Sequence, residues 1–233
     1  MKIIYRISDA GYNKVKPEYI NNENCLKNFT KVFNNENLHV IADNCSEETL
    51  KMLIKYVRPD AVTKVSIGHG AGTFNLALDK ALKWDDNEIV YFLENDYLHK
   101  PESDKILKEG FDLGASFVAL YDHPDKYMNK TKYDNPELED AGEKTTVYLS
   151  DSRHWKITNS TTMTFATRLK TLREDFTTYI YFCQNEGPLD YHMFLTLRQQ
   201  KNRKICCSIP ACSTHSETEF LAPLINWEYE LNN

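Results

Sequence analysis

Glu88-Ile89-Val90-Tyr91-Phe92-Leu93-Glu94-Asn95-Asp96 sets five apolar residues in a row and closes them with two carboxylates. A continuous apolar run of this length suits a strand buried on both faces. Working outward, the same unit recurs. Upstream lie a β run from Lys2 to Ile7, a run at Leu38 to Ala42 and a third from Ala61 to Ile67. Between them, apolar residues at helical spacing predict helices: Leu26, Phe29, Val32 and Phe33 within Glu23 to Phe33, then Leu50, Leu53 and Ile54 in a helix reaching Tyr56. Asn44, with Glu47 three residues on, is expected to cap the second of these. A third helix is expected from about Thr73 to Lys83. Downstream, Glu102 to Gly110 reads as helix and Phe117 to Tyr121 as strand.

Strands alternating with helices predict an α/β fold: a mostly parallel central sheet flanked by helices. The alternation stops near Tyr121. Asp122 to Glu143 reads as a long polar loop, followed by strand-like pieces at Thr145 to Leu149 and Thr161 to Ala166. A helix from about Leu189 to Gln199, with Pro188 in its first turn, and a strand from Ile205 to Ile209 complete a mixed back half. No linker composition divides the chain. Residues 1–233 are therefore expected to form one domain, with a front half to about 121 and a back half from about 122.

The 233 residues are 41% hydrophobic and 27% charged, enough apolar material for a full core, which excludes disorder. The net charge of -6 and the lack of a basic stripe exclude a general nucleic-acid binder. No apolar run is long enough to span a bilayer, and the N-terminus carries no apolar signal region. The six cysteines, in a chain without an export signal, read as free thiols of a reducing cytoplasm.

In open α/β sheets, ligands bind beyond the carboxyl ends of the strands. Polar clusters fall at four such ends: Arg6-Ser8-Asp9, Asp43-Asn44, Gly68-His69-Gly70-Ala71-Gly72 and Glu94-Asn95-Asp96. Residues two apart in extended backbone point the same way, so Glu94 and Asp96 repel unless a cation joins them. Such oxygen ligands suit Mg²⁺ or Mn²⁺, with phosphate oxygens filling other positions. The glycine segment can bring backbone close to phosphate at a helix N-terminus, and a plain strand–helix turn explains it equally. Cys206, Cys207, Cys212 and His215 lack zinc spacing, so the thiols read as structural. His215 is either a solvated loop histidine or a metal ligand from the back half. Asp190 opens a helix, where it is either stabilised by the dipole or a catalytic base. Asp122 and His123, and farther on His154 and Trp155, offer polar and aromatic groups that suit either a sugar or a half-buried surface.

Taken in order, these motifs resemble a GT-A glycosyltransferase close to family 2. Stretches such as Tyr-Arg-Ile-Ser-Asp at the start, Ala-Asp-Asn-Cys-Ser, His-Trp-Lys-Ile-Thr-Asn-Ser and Ser-Thr-His-Ser-Glu-Thr look like small viral and bacterial members of that group. The resemblance implies a metal-dependent, inverting transfer from a nucleotide sugar to a glycan or other hydroxyl acceptor, in the cytoplasm or a host cytoplasm. It implies that Arg6, Asp9, Asp43, Gly70, Gly72 and Glu94 hold the nucleotide. Asp96, Glu94 and His215 would bind Mn²⁺ or Mg²⁺. Asp190 would be the base, with Asp151 and Glu186 next, and Asp122, His123, His154 and Trp155 would line the acceptor side. The chain departs from the family in having Glu at the first metal-motif position, no Glu-Asp pair before the catalytic helix and no Pro-x-Tyr-Asn in strand one. The alternatives are a sugar-nucleotide nucleotidyltransferase, which needs a basic Gly-rich loop where residues 8 to 17 hold only Gly11, Lys14 and Lys16, and a non-catalytic sugar- or nucleotide-binding module.

Overall fold

The structure, a computed structural model, describes residues 1–10, 14–128, 138–139 and 142–232. The strands are β1 (Lys2–Ser8), β2 (Leu38–Asp43), β3 (Val62–Val65), β4 (Ile89–Glu94), β5 (Tyr97–His99), β6 (Phe117–Ala119), β7 (Leu138–Glu139), β8 (Gly142–Glu143), β9 (Val147–Leu149), β10 (His154–Ile157), β11 (Phe165–Arg168), β12 (Ile205–Ile209) and β13 (Ser213–His215). The helices are α1 (Asn22–Val32), α2 (Glu47–Tyr56), α3 (Gly70–Ala81), α4 (Ser103–Asp112), α5 (Leu169–Glu174), α6 (Phe176–Phe182), α7 (Asp190–Lys201) and α8 (Trp227–Asn232). Nine strands form one sheet in the order β3-β2-β1-β4-β11-β6-β12-β10-β9. The first four run parallel. β11 enters antiparallel between β4 and β6, and β10 runs antiparallel to both of its neighbours. The mostly parallel sheet with a mixed back half is the α/β architecture that the sequence predicts.

The quoted strand explains why the sheet sits at the centre. Tyr91 and Leu93 of β4 pack into one apolar layer with α1, α2 and α4, while Val90 and Phe92 pack into the other with α3, α5, α6 and α7. β1 divides the same way, Ile3, Tyr5 and Ile7 to one face and Ile4 to the other. Each fully buried aromatic such as Phe92 or Phe165 contributes about 1.5–3 kcal/mol of apolar burial.

Three local expectations change. Ser46, not Asn44, caps α2, its hydroxyl accepting from the Thr49 amide at 3.2 Å. Asn44 instead takes a left-handed turn at φ 49, where a short polar side chain is tolerated. α3 begins at Gly70 rather than Thr73, because the His69 ring caps it by accepting from the Gly72 amide at 3.1 Å. The strand expected over Thr161 to Ala166 starts only at Phe165, which leaves 161–164 as irregular chain beside the sheet. The loop from Asp122 contains a short helical turn, Pro124–Tyr127, and the β7–β8 hairpin; its Asn135 and Pro136 lie outside the described residues. β5 is a strand that the periodicity did not reveal. It pairs antiparallel with β13 in a separate two-stranded sheet, Tyr97 opposite His215.

Candidate functional site

A cleft of about 750 Å³ opens beyond the carboxyl ends of β4 and β6. Gly70 and Glu94 reach it from the front half, and Asp122, His123, Asp190 and His215 from the back half. The clustering of sequence-distant polar groups at one sheet edge is what open α/β topology produces.

One wall is built by the β5–β13 pairing. Asp96 immediately precedes β5 and His215 ends β13, so the register brings them together: Asp96 Oδ2 and His215 Nε2 are 3.1 Å apart. The Ser216 hydroxyl donates to the same carboxylate oxygen at 3.2 Å, and the ammonium groups of Lys14 and Lys16 lie 3.3 and 3.9 Å from it. Burial would raise the Asp96 pKa, but His215, Lys14 and Lys16 overcome it and hold the carboxyl well below the usual range. Glu94 has a different partner. The chain turns after β4, which ends the pleat, and the Glu94 carboxylate pairs with buried Arg6 at 3.1 Å.

Among the described residues, no three His, Cys, Asp or Glu side chains are grouped to hold a metal ion. Two donors of this chain are nevertheless spaced for one. Adjacent corners of an octahedron with bonds near 2.0–2.1 Å stand about 3 Å apart. The 3.1 Å between Asp96 Oδ2 and His215 Nε2 matches that separation, and the lysine beside them already places a positive charge there. The donor set fits Mn²⁺ or Mg²⁺ with its remaining positions filled from outside the protein.

Across the cleft, Asp190 is the first residue of α7. Its Oδ1 accepts from the Tyr191 amide at 2.7 Å. Burial pushes its pKa up to about 6; the Tyr191 amide opposes the shift, the Glu94 charge adds to it, and Lys126 opposes it. Lys126 is itself buried, which lowers its pKa, and donates to Asn159 Oδ1 at 2.9 Å and Ser160 Oγ at 2.7 Å.

The floor on the Asp190 side is a buried ionic network. Lys156 Nζ sits 2.7 Å from Asp122 Oδ1, 3.7 Å from Glu143 Oε2 and 4.3 Å above the Tyr127 ring. The Tyr127 hydroxyl donates to the other Asp122 oxygen. His123 packs at 5.0 Å on both Tyr121 and Phe220 and lies 2.9 Å from Asp125. Lys156 lines the cleft where its neighbours His154 and Trp155 were expected to. Alternate residues of a strand face opposite ways. Trp155 therefore turns into the core, fully buried, its indole nitrogen donating to Ser150 Oγ at 3.0 Å, and Lys156 turns to the cleft. His154 is exposed, and neither it nor Trp155 lines the cleft. The alternation His154-Trp155-Lys156-Ile157-Thr158, which puts Lys156 on the polar face of a short strand, was the available signal.

The residues expected at the nucleotide end are joined to the framework. Arg6 donates to the Gly70 carbonyl at 3.1 Å and lies over the Phe74 ring, so it ties β1 to α3 and Glu94. Asp9 accepts from the Ser46 amide at 2.7 Å and the Thr49 hydroxyl at 2.6 Å, at the N-terminus of α2. Asp43 accepts from the Ile67 and Gly68 amides at 2.6 and 2.9 Å, clamping the turn in which Gly68 has φ 86. At Gly72 a Cβ would fall 2.4 Å from Ile67 Cγ2, so glycine is required there by packing. All six cysteines are free; Cys206, Cys207 and Cys212 are buried, and the Cys207 thiol lies 3.3 Å from the Tyr121 carbonyl. Among the described residues, no helix is long and apolar enough to cross a membrane.

No protein-family model matches the chain, and no curated protein matches it in sequence. Solved structures do match in fold. S. aureus TarS, in a structure of residues 1–349, superposes with a TM-score of 0.50 at 17% identity, over 93% of this chain and 60% of that one. A second structure of S. aureus TarS gives a TM-score of 0.52 at 16% identity, over 93% of this chain and 37% of that one. A197 from STIV, at 14% identity, covers 96% of this chain and 91% of its own with a TM-score of 0.46. The chain thus spans less than two thirds of either TarS structure. The likeness is one of architecture, and by its architecture the chain has the GT-A fold.

Proposed function

We propose that the chain is a glycosyltransferase that moves a sugar from a nucleotide-sugar donor to a hydroxyl of a glycan or other acceptor, with inversion at the anomeric carbon. The observation that carries this reading is a pair of aspartates in contrasting surroundings: Asp96, held charged behind the cleft-lining His215, and Asp190, which lines the cleft with its pKa raised to about 6. Environments that push like groups apart in pKa assign them different chemical tasks.

In this reading residues 1–121 serve the donor and 122–233 the acceptor, within one domain. Asp96 and His215 hold Mn²⁺ or Mg²⁺, with Glu94, braced by Arg6, in support. The bound ion offsets charge on the donor's diphosphate. Arg6, Asp9 and Asp43 act by fixing the loops and helix ends that shape the nucleotide end, and Gly70 and Gly72 let backbone approach it. The acceptor lies against Asp122 and His123, with Lys156 holding the Asp122 carboxylate in place. The acceptor oxygen bonds to the anomeric carbon as that carbon's bond to the diphosphate oxygen breaks. Asp190 takes the hydroxyl proton, and the bonding pair leaves with the nucleoside diphosphate. Free thiols fit work in a reducing cytoplasm, and the net charge of -6 fits a partner other than nucleic acid.

Donor hydrolysis across UDP-, GDP- and TDP-sugars, with Mn²⁺ and with EDTA, tests the proposal. Turnover of one donor class that EDTA abolishes is the expected result. No turnover or nucleotide binding with any donor overturns it.

A further inference from the structure

The lysines on the segment that precedes α1 are not absorbed by this mechanism. Lys14 Nζ lies 2.9 Å from His215 Nε2 and 3.3 Å from Asp96 Oδ2, and Lys16 Nζ lies 3.9 Å from the same Asp96 oxygen. An ammonium has protons to donate and no lone pair to accept with. The Lys14 ammonium stands 2.9 Å from His215 Nε2, the nitrogen that also faces Asp96 Oδ2 at 3.1 Å, and it reaches that Asp96 oxygen itself at 3.3 Å. Lys14 thus lies against both groups of the cation seat at once, and a divalent ion there would stand at contact distance from it. Two positive centres so close repel strongly in a partly buried site, so the two occupants exclude each other.

We propose that Lys14 is the intrinsic cation of this seat. It holds Asp96 and His215 in register until a divalent ion displaces it, and the displaced ammonium then binds the donor's diphosphate beside that ion. The inference rests on the proposed function. Its physical content is separate: a competition between a side chain and a metal, followed by a charge-assisted hydrogen bond from that side chain to phosphate. The Lys14 side chain is 22% exposed and itself lines the cleft. Lys16, farther from the carboxylate, keeps part of the local charge when Lys14 leaves.

The test is Mn²⁺ binding to the full chain without nucleotide, measured by loss of the free-ion paramagnetic resonance signal, for wild type, Lys14→Met and Lys14→Arg. Lys14→Met should bind Mn²⁺ on the order of fivefold tighter, the worth of a partly exposed ion pair that the metal no longer breaks. Lys14→Arg, which keeps the charge, should stay close to wild type. With saturating Mn²⁺, the affinity of Lys14→Met for UDP or GDP, whichever the wild type binds, should fall by about tenfold or more. Equal or weaker Mn²⁺ binding by Lys14→Met, while the wild type binds nucleotide, overturns the role of Lys14 alone. Tighter Mn²⁺ binding with unchanged nucleotide affinity overturns the diphosphate contact. A wild type that binds neither Mn²⁺ nor nucleotide overturns both this inference and the proposed function.

Discussion

Asp96, buried behind the cleft-lining His215 and Lys14, and Asp190, which lines the cleft itself, belong to walls built in different ways. Asp96 follows the central strand and is surrounded by nitrogen: His215 at 3.1 Å, Lys14 at 3.3 Å and Lys16 at 3.9 Å. Asp190 starts a helix, accepts one backbone amide, and has the charges of Glu94 and Asp125 nearby along with that of Lys126. The first wall keeps a carboxylate ionised in spite of burial; the second raises a carboxyl toward 6. Identical side chains are thus given opposite tendencies by their neighbours, which is how one site separates charge holding from proton transfer.

The largest effect should come from emptying the first wall. Asp96→Ala should cut Mn²⁺-dependent donor turnover on the order of 10³-fold, the scale of losing a main electrostatic stabiliser. Circular dichroism should be unchanged, since the residue lies beside the cleft and outside the apolar layers. A variant that still turns over donor would dissolve the contrast between the walls. Asp190→Asn comes next, with transfer lowered roughly 10²-fold or more and donor affinity little changed. Transfer at the wild-type rate would move the base to Asp151 or Glu186.

The contrast also has a pH signature. Asp190 accepts a proton only when ionised, so transfer should be lost below, and rise through, about pH 6. The stability sign follows from the same shift. A carboxyl whose pKa is raised in the fold favours folding while it is protonated, and that contribution is lost as pH rises from about 4 through 6. At pH 8, Asp190→Asn should therefore be more stable than wild type, by up to about 3 kcal/mol, in a thermal melt. Asp96 has the reverse sign, its stabilisation being present at neutral pH. The finest test adjusts the second wall. Lys126→Met removes a group that lowers the Asp190 pKa and should move the acid limb of transfer up by less than about one unit. Glu94→Gln should move it down. Shifts in the opposite directions would mean that Asp190 does not set the limb.

The sequence carried the fold further than the site. Its βα alternation and the run from Ile89 to Leu93 were enough to predict the parallel front of the sheet, because burial on both faces leaves a purely local trace. Acids and glycines at strand ends pointed to the sheet edge where the cleft opens. Their occupations were hidden. Asp9 and Asp43 make backbone bonds to residues 46 and 67–68, contacts for which no spacing rule exists. Trp155 drew more notice than Lys156, yet the pleat turned the lysine to the cleft and the tryptophan to the core. No strand was expected there; the short alternation His154-Trp155-Lys156-Ile157-Thr158, with Lys156 on the polar face, was its trace.

By itself, then, the sequence determined the strands and helices of the front half and the edge that gathers polar groups, since backbone periodicity and burial are encoded over a few residues, while short elements such as β5 and β13 left no such trace. Only the tertiary structure decided which charges meet. His215 reaches Asp96 because β13 adds to β5 across more than a hundred residues, in a register that places Tyr97 opposite His215. Lys14 enters the same seat from the far end of the chain. Electrostatic energy depends on distance in space, and the chain separation between these groups carries no information about it until the strands have paired.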